Sequence, residues 1–301
     1  MLHLNKLSKV IRLNFVFFAI CVCSVFTSAS AQSRASSSTP HFCSTFPTYD
    51  EESLIPFLDA MIIPGERLSL DRLMKTMPPE TMSRIVGLDE ARADQEARDW
   101  PNLCRYNIQN SKIVYRGTRP DVVFLGDSIT EIWARGDASL FNDVSLNRGI
   151  SGQTTGQMLL RFYQDVILLN PRMVHIMAGT NDIAPEATSA SDIVIVNNIR
   201  AMIDIAKANG IRVIIASITP SKGFYMQPDF DPSIRIASIN RKLVQLAAEQ
   251  QVTYIDYFPE LVDHAGDIKA ELSNDGLHPN RNGYAVMRPL AEQAIKREMR
   301  K

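Results

Sequence analysis

Five short apolar runs constrain this chain more than any other feature. They are Val122–Leu125, Val144–Leu146, Met173–Ala178, Val213–Ile218 and Thr253–Ile255. Each is too short for a stable helix and rich in residues that favour strands. Apolar at most of their positions, they read as buried strands. Between them lie segments with helical spacing. Residues 154–168 carry Met158, Leu159, Phe162 and Val166, with Leu169 and then Pro171 just beyond. Residues 190–208 stop at Asn209-Gly210. Residues 233–249 place Ile236, Ile239, Leu243 and Leu246 on one face, and residues 283–297 form a last helix. Strands alternating with helices predict an α/β fold with a mostly parallel five-stranded sheet covered on both faces. No internal repeat is evident. A length of 301 residues suits one medium domain with attachments.

In such sheets ligands bind beyond the carboxyl ends of the strands. The polar clusters of this sequence stand there. Gly126-Asp127-Ser128 follows the first run, and Asn147-Arg148-Gly149-Ile150-Ser151-Gly152 follows the second. Gly179-Thr180-Asn181-Asp182 follows the third. A long loop, 219–233, follows the fourth and holds Phe224, Tyr225, Met226 and Phe230. All four should face one side of the sheet.

Ser128 sits where a buried strand gives way to a helix start, a place with free backbone N–H groups. A serine hydroxyl needs a base, a group to hold that base and donors for an oxyanion. His41 lies in the N-terminal segment, His175 inside an apolar strand and His264 in an ordinary polar loop. His278 alone has a carboxylate three residues earlier in a constrained loop, Asn274-Asp275-Gly276-Leu277-His278-Pro279-Asn280. His278 is therefore the candidate base and Asp275 its candidate partner. Asp275 could instead form an Asx turn or cap the last helix. Asp127 and Asp182 compete by residue type, and Asp127 could cap the helix that follows it. The candidate oxyanion donors are the N–H groups of Ser128 and Gly149 and the amide of Asn181.

Gly126-Asp127-Ser128, Gly149, Gly179-x-Asn181-Asp182 and Asp275-x-x-His278 resemble, in order and approximate spacing, the motifs of the SGNH hydrolase superfamily, the GDSL esterases and lipases. The resemblance spans residues 115–298, and the chain is most similar to the bacterial lysophospholipase L1-like and platelet-activating-factor acetylhydrolase-like branch. It implies a flavodoxin-like three-layer α/β/α sandwich. It also implies a Ser128–His278–Asp275 triad and an oxyanion hole from Ser128, Gly149 and Asn181. The implied chemistry is two-step acyl transfer, for which no metal or cofactor is needed. Position 130 is Thr, so the Gly-x-Ser-x-Gly elbow of other α/β-hydrolases is absent.

The N-terminal third has a different character. Lys6, Lys9 and Arg12 precede an apolar stretch of 12 residues, Phe15 to Phe26, and Ala29-Ser30-Ala31 supplies a small-x-small site. That stretch is shorter than the roughly 18 residues needed to span a bilayer. Residues 1–31 read as a secretory signal peptide cut before Gln32, with an uncleaved anchor as the competing reading. Its removal takes the formal net charge from −1 to −4, which gives no electrostatic pull toward anionic lipid. The expected location is periplasmic or secreted, without stable membrane insertion. Residues 32–40 are small and polar, a tether. Residues 41–91 mix apolar residues with Pro56, Pro64, Pro78 and Pro79, and residues 92–112 look helical around a break at Pro101. The expected organisation is a tether and helical extension over 32–110 and a hydrolase domain over 111–301, with the extension a cap or brace on the core, where Trp100, Leu103 and Tyr106 could pack against the sheet, or else residues 42–110 a separate partner-binding domain. Cys21 and Cys23 fall in the signal core. Cys43 and Cys104 then remain, as a disulfide or as two free thiols.

Charge is nearly balanced and no long basic run occurs, so no nucleic-acid partner is expected. The expected partner is a small-molecule, carbohydrate or lipid ester. Two substrate classes compete: small acyl groups, such as acetyl on carbohydrates, and lysophospholipid or fatty acyl esters. Phe224, Tyr225 and Phe230 are the candidate substrate-binding residues, as an acyl slot or as a stacking platform, unless they only pack. A reading of another class is a non-catalytic carbohydrate-binding module on a hydrolase scaffold. The presence of Ser128, Gly149, Asn181, Asp275 and His278 together argues against it.

Overall fold

The structure, a computed structural model, describes residues 43, 55–65, 95, 97–184, 190–223 and 230–301. Residues 1–31 and 32–40, expected from the sequence to be a signal peptide and a tether, lie outside the described residues, as do Phe224 and Tyr225. In chain order the main elements are α1 (Ile55–Ile62), α2 (Asn107–Arg116), β1 (Val122–Gly126), α3 (Ser128–Gly136), β2 (Ser145–Gly149), α4 (Thr155–Asp165) and β3 (Met173–Met177). They continue with α5 (Thr180–Ile183), α6 (Asp192–Ala208), β4 (Arg212–Ala216), α7 (Ser233–Gln250), β5 (Thr253–Ile255), α8 (Phe258–Leu261) and α9 (Arg281–Met299). The sheet order is β2-β1-β3-β4-β5, and every neighbouring pair is parallel. That is the flavodoxin-like order, whose switch point lies between β1 and β3. The fold class expected from the sequence is therefore the fold found, with a sheet that is wholly parallel.

Alternation along the strands explains the three layers. Val123, Leu125, Val174, Ile176, Val213 and Ile215 join a core with Met158 and Phe162 of α4, Ile199 and Ile203 of α6, and Ile236 and Leu243 of α7. Val122, Phe124, Met173 and Ile214 face the other way. They join Trp133 of α3, Tyr284 and Met287 of α9, and Met61 and Ile62 of α1.

The helix ends follow local chemistry. Thr154 and Gln157 close a reciprocal capping box at the start of α4. Asn280 accepts from the N–H groups of Asn282 and Gly283 and so starts α9. Gly210 stands at φ +69° after α6, where a left-handed turn favours glycine.

Two expectations are corrected. The second strand runs over 145–149, so Asn147, Arg148 and Gly149 lie within it and not in a loop after it. Their pairing to β1, with Gly149 opposite Gly126, overrides the polar sequence. The helical reading of 92–112 holds for residues 95, 97 and 98 and again from Asn107. Between them Asp99 accepts from the N–H groups of Leu103 (2.9 Å) and Cys104 (3.0 Å) and forms a turn. The sulfurs of Cys43 and Cys104 are bonded, with their Cα atoms 5.3 Å apart.

Candidate active site

Gly126 ends β1 because no side chain fits there. A Cβ on it would stand 2.0 Å from Thr130 Oγ1 and 2.8 Å from the Met177 carbonyl oxygen. The chain can then turn at once into α3, with Asp127 as its cap. The Asp127 carboxylate accepts from the Ile129 N–H at 3.0 Å. The helix-cap reading of Asp127 is thus the one realised. Ser128 becomes the first residue of α3, and its N–H has no intrahelical acceptor.

The 273–280 loop comes from the far end of the chain. Asp275 Oδ1 accepts from the N–H groups of Leu277 (2.9 Å) and His278 (2.8 Å), which folds the loop into an Asx turn. Asp275 Oδ2 stands 2.6 Å from His278 Nδ1, and His278 Nε2 stands 2.9 Å from Ser128 Oγ. The carboxylate that forms the turn is therefore also the one that meets His278. Ser221 Oγ donates to the Gly276 carbonyl at 2.9 Å and ties the loop to the segment after β4.

Electrostatics agree with this geometry. Burial pushes the Asp275 carboxyl upward, but the charge of His278 and the hydrogen bonds from it and from Leu277 hold it down at about 2. Burial pulls His278 down, and the charge and hydrogen bond of Asp275, with the Asp127 charge, more than reverse that. The imidazole lies above its ordinary value. At Asp127 burial outweighs the Ile129 N–H and the His278 charge and lifts the carboxyl to about 6. An ionised Asp275 fixes the proton of a neutral His278 on Nδ1. Nε2 is then free to accept the hydroxyl proton of Ser128.

His175 is a core histidine. It is fully buried, its Nε2 lies 3.0 Å from the Tyr257 hydroxyl, and burial lowers it to about 3. Asp182 accepts from the N–H (2.8 Å) and Oγ1 (2.6 Å) of Thr155 and holds the start of α4.

The oxyanion side departs from expectation at Gly149. Its N–H donates to Asn147 Oδ1 at 2.8 Å, so it is already engaged. A Cβ there would stand 2.1 Å from the backbone nitrogen of Glu131, so the glycine lets β2 approach α3. The next glycine, Gly152, adopts φ +78° in the loop after β2. Among the described residues its N–H donates to no protein acceptor. The adjoining Gln153 carbonyl accepts from Asn181 Nδ2 at 3.0 Å, which places Gly152 beside Asn181.

Arg161 carries much of this frame and has no counterpart in the sequence reading. Fully buried, it donates to the Gly126 (3.0 Å) and Arg148 (2.9 Å) carbonyls, to Asp165 Oδ2 (2.9 Å) and to the Gln153 side chain. It thereby joins the ends of β1 and β2 to the Gly152-Gln153 loop. Its position within an amphipathic helix offered no cue.

Of the expected substrate-binding residues only Phe230 is described, and it packs against the core on the α4–α6–α7 face. From the sequence Trp100 is expected to pack against the sheet as part of a brace on the core. It is about half-exposed, 51%, and its ring edge lies 3.8 Å from where a Cβ on Gly156 would be. Gln157 Nε2 holds its carbonyl at 3.0 Å, and Gln153 Nε2 holds that of Pro101 at 2.8 Å.

A wholly parallel sheet covered by helices on both faces, with Ser128, Asn181 and the Asp275–His278 loop at its carboxyl edge, fits the SGNH hydrolase superfamily. The profile of the GDSL-like lipase/acylhydrolase family matches residues 124–286, more than half of the chain. The chain belongs to that family, whose members act on esters. It is 37% identical to a candidate acylhydrolase of Bacteroides fragilis, over 66% of this chain and 98% of that one, with a TM-score of 0.63. It is 35% identical to a GDSL-like lipase of Bacteroides thetaiotaomicron, over 66% of this chain and 99% of that one, with a TM-score of 0.62. A Streptococcus protein described as a candidate platelet activating factor shares the fold at 24% identity, over 68% of this chain and 99% of that one, with a TM-score of 0.56. No curated protein matches the chain.

Proposed function

We propose that this chain is a serine esterase in which Ser128 is the nucleophile, His278 the general base and Asp275 its orienting carboxylate. The observation that carries the reading is the unbroken series Asp275 Oδ2–His278 Nδ1 at 2.6 Å and His278 Nε2–Ser128 Oγ at 2.9 Å. Ser128 Oγ attacks the ester carbonyl while its proton passes to His278 Nε2. The C–O bond to the alcohol breaks, and the alcohol leaves with that proton. Water then attacks the acyl-enzyme, giving its proton to His278, and the acid departs as Ser128 regains a proton. The oxyanion formed in each half is held by the Ser128 N–H, the Gly152 N–H and the second amide hydrogen of Asn181, with Gly152 in the place expected for Gly149. One such donor is worth about 10²–10³ in rate.

The proposed substrates are small-acyl esters, such as acetyl, on a carbohydrate or similar alcohol. The half-exposed Trp100 indole supports this, because a flat apolar face beside the oxyanion loop can stack on a sugar ring. A second reading, a lipid acyl ester, is favoured by Ile193, Val194 and Ile234. These are 65%, 45% and 83% exposed at the starts of α6 and α7, on the carboxyl edge of the sheet. A p-nitrophenyl ester series separates the two. Hydrolysis peaking at acetate supports the first, and a peak at octanoate or longer overturns it in favour of the second.

Export is proposed as well. The signal-like N-terminus supports it, and so does the Cys43–Cys104 bond, since disulfides persist in oxidising compartments. Among the described residues no helix is long and apolar enough to cross a membrane.

A further inference from the structure

The residue before Asp275 reaches into the N-terminal extension. Asn274 is buried, and its Nδ2 donates to the carbonyl oxygens of Ala60 at 2.8 Å and Ile63 at 2.7 Å. Ala60 lies in the last turn of α1 and Ile63 just beyond it, where carbonyls have no donor within the helix. Asn274 Oδ1 accepts from Asn280 Nδ2 at 2.9 Å, and Asn280 in turn caps α9. One amide therefore joins α1, the Asp275–His278 loop and the start of α9.

The other side of α1 is seated as firmly. Met61 and Ile62 are buried in the cluster that contains Ile129, Trp133 and Tyr284. Asp59 faces Arg135 of α3 across 3.4 Å. Ile129 is the residue after Ser128, and its carbonyl accepts from the Tyr284 hydroxyl at 2.8 Å. The helix thus touches both halves of the reacting series: α3, which presents Ser128, and the loop that presents His278. The family profile begins at residue 124, so α1 lies outside the matched region.

We propose that α1 is a positioning element of the active site, which holds the Asp275–His278 loop in reach of Ser128 through the Asn274 amide. The inference rests on the triad reading. It gives the extension, expected from the sequence to be a cap or brace on the core, a part in the catalytic unit. Without α1 the Asn274 amide loses two buried acceptors. Among the described residues, the hydrogen bonds left to the loop run within itself and to Glu271, Leu272, the start of α9, Ser221 and Ser128.

The test uses the full chain in three variants: Asn274→Ala, Ile62→Ala and the double. Hydrolysis of p-nitrophenyl acetate is measured well below each melting temperature. Each single variant should lower kcat about tenfold or more and change KM less than about threefold, within the roughly 10²-fold that a 1 Å misplacement costs. The double should fall no further than the worse single, because both changes break one connection. Wild-type kcat in Asn274→Ala, or losses that multiply in the double, overturns the inference. A lowered melting temperature with wild-type kcat does the same, since that is what plain packing would give. Should Ile62→Ala fail to fold, Ile62→Val takes its place. Ser128→Ala run in parallel separates the two claims. Retained activity there removes the triad reading itself. An inactive Ser128→Ala beside a wild-type-like Asn274→Ala removes only the role of α1.

Discussion

Replacing Asp275 by Asn changes one atom that the mechanism depends on and leaves the fold around it intact. The Asp275 side chain is 5% exposed. Its Oδ1 keeps the Asx turn by accepting from Leu277 and His278, and an asparagine oxygen can do the same. Oδ2 becomes an NH₂ group 2.6 Å from His278 Nδ1. Two donors cannot face each other there, so the imidazole shifts its proton to Nε2. Nε2 then points an N–H at Ser128 Oγ and can no longer accept a proton. The upward pull that Asp275 exerts on His278 also disappears. The expected loss in kcat is about 10³–10⁴, with little change in KM and a melting temperature close to wild type. The assay is steady-state hydrolysis of p-nitrophenyl acetate from pH 6 to 9, beside a thermal melt. A folded Asp275→Asn protein that keeps a tenth of the wild-type kcat would refute the role given to this carboxylate.

Other outcomes follow from the same electrostatics. The base works only when neutral, and His278 lies above the ordinary imidazole value. Wild-type kcat/KM should therefore rise with pH through a limb above about 6.5, with no loss from Asp275 until far more acidic conditions; a limb at or below 6 would contradict it. Asp127 has a folded value of about 6 against 3.8, so its carboxyl stabilises the fold below 3.8 and this contribution is lost as pH rises through 6. Asp127→Asn keeps an oxygen for the Ile129 N–H and should raise stability at pH 8 by about 2–3 kcal/mol while leaving it unchanged near pH 3.5, as read by denaturant melts. Trp100→Ala should raise KM for an acetylated oligosaccharide several-fold and leave p-nitrophenyl acetate turnover near wild type. Equal effects on both would remove Trp100 from substrate recognition.

What could be read from the chain alone follows from where each signal is stored. Val122–Leu125 and Met173–Met177 are buried on both faces, so their apolar runs announce central strands. β2 is an edge strand whose residues Asn147 and Arg148 are held by Thr130, Asn110 and their own backbone. Its polar sequence hides it, and its true end at Gly149 emerges only from pairing with β1. That boundary bears directly on the proposed oxyanion donor. Once Gly149 lies within the strand, Asn147 can turn back onto its N–H, and the free N–H belongs to Gly152. Asp275 and His278 were legible because three residues and a glycine bring them together locally. Asn274 was not, because its acceptors lie 214 and 211 residues away in the chain, where no local pattern records them. Arg161 was hidden for the same reason, since a guanidinium that joins two strand ends looks in sequence like any helical arginine.

The central claim is that Ser128 is a nucleophile activated by His278, and a fluorophosphonate probe tests it most directly. The folded wild-type protein should take up one equivalent of probe and lose ester hydrolysis in step, while Ser128→Ala should take up none and His278→Ala should label slowly or not at all. Wild-type protein that hydrolyses esters yet stays unlabelled, or labelling that survives in Ser128→Ala, would contradict it.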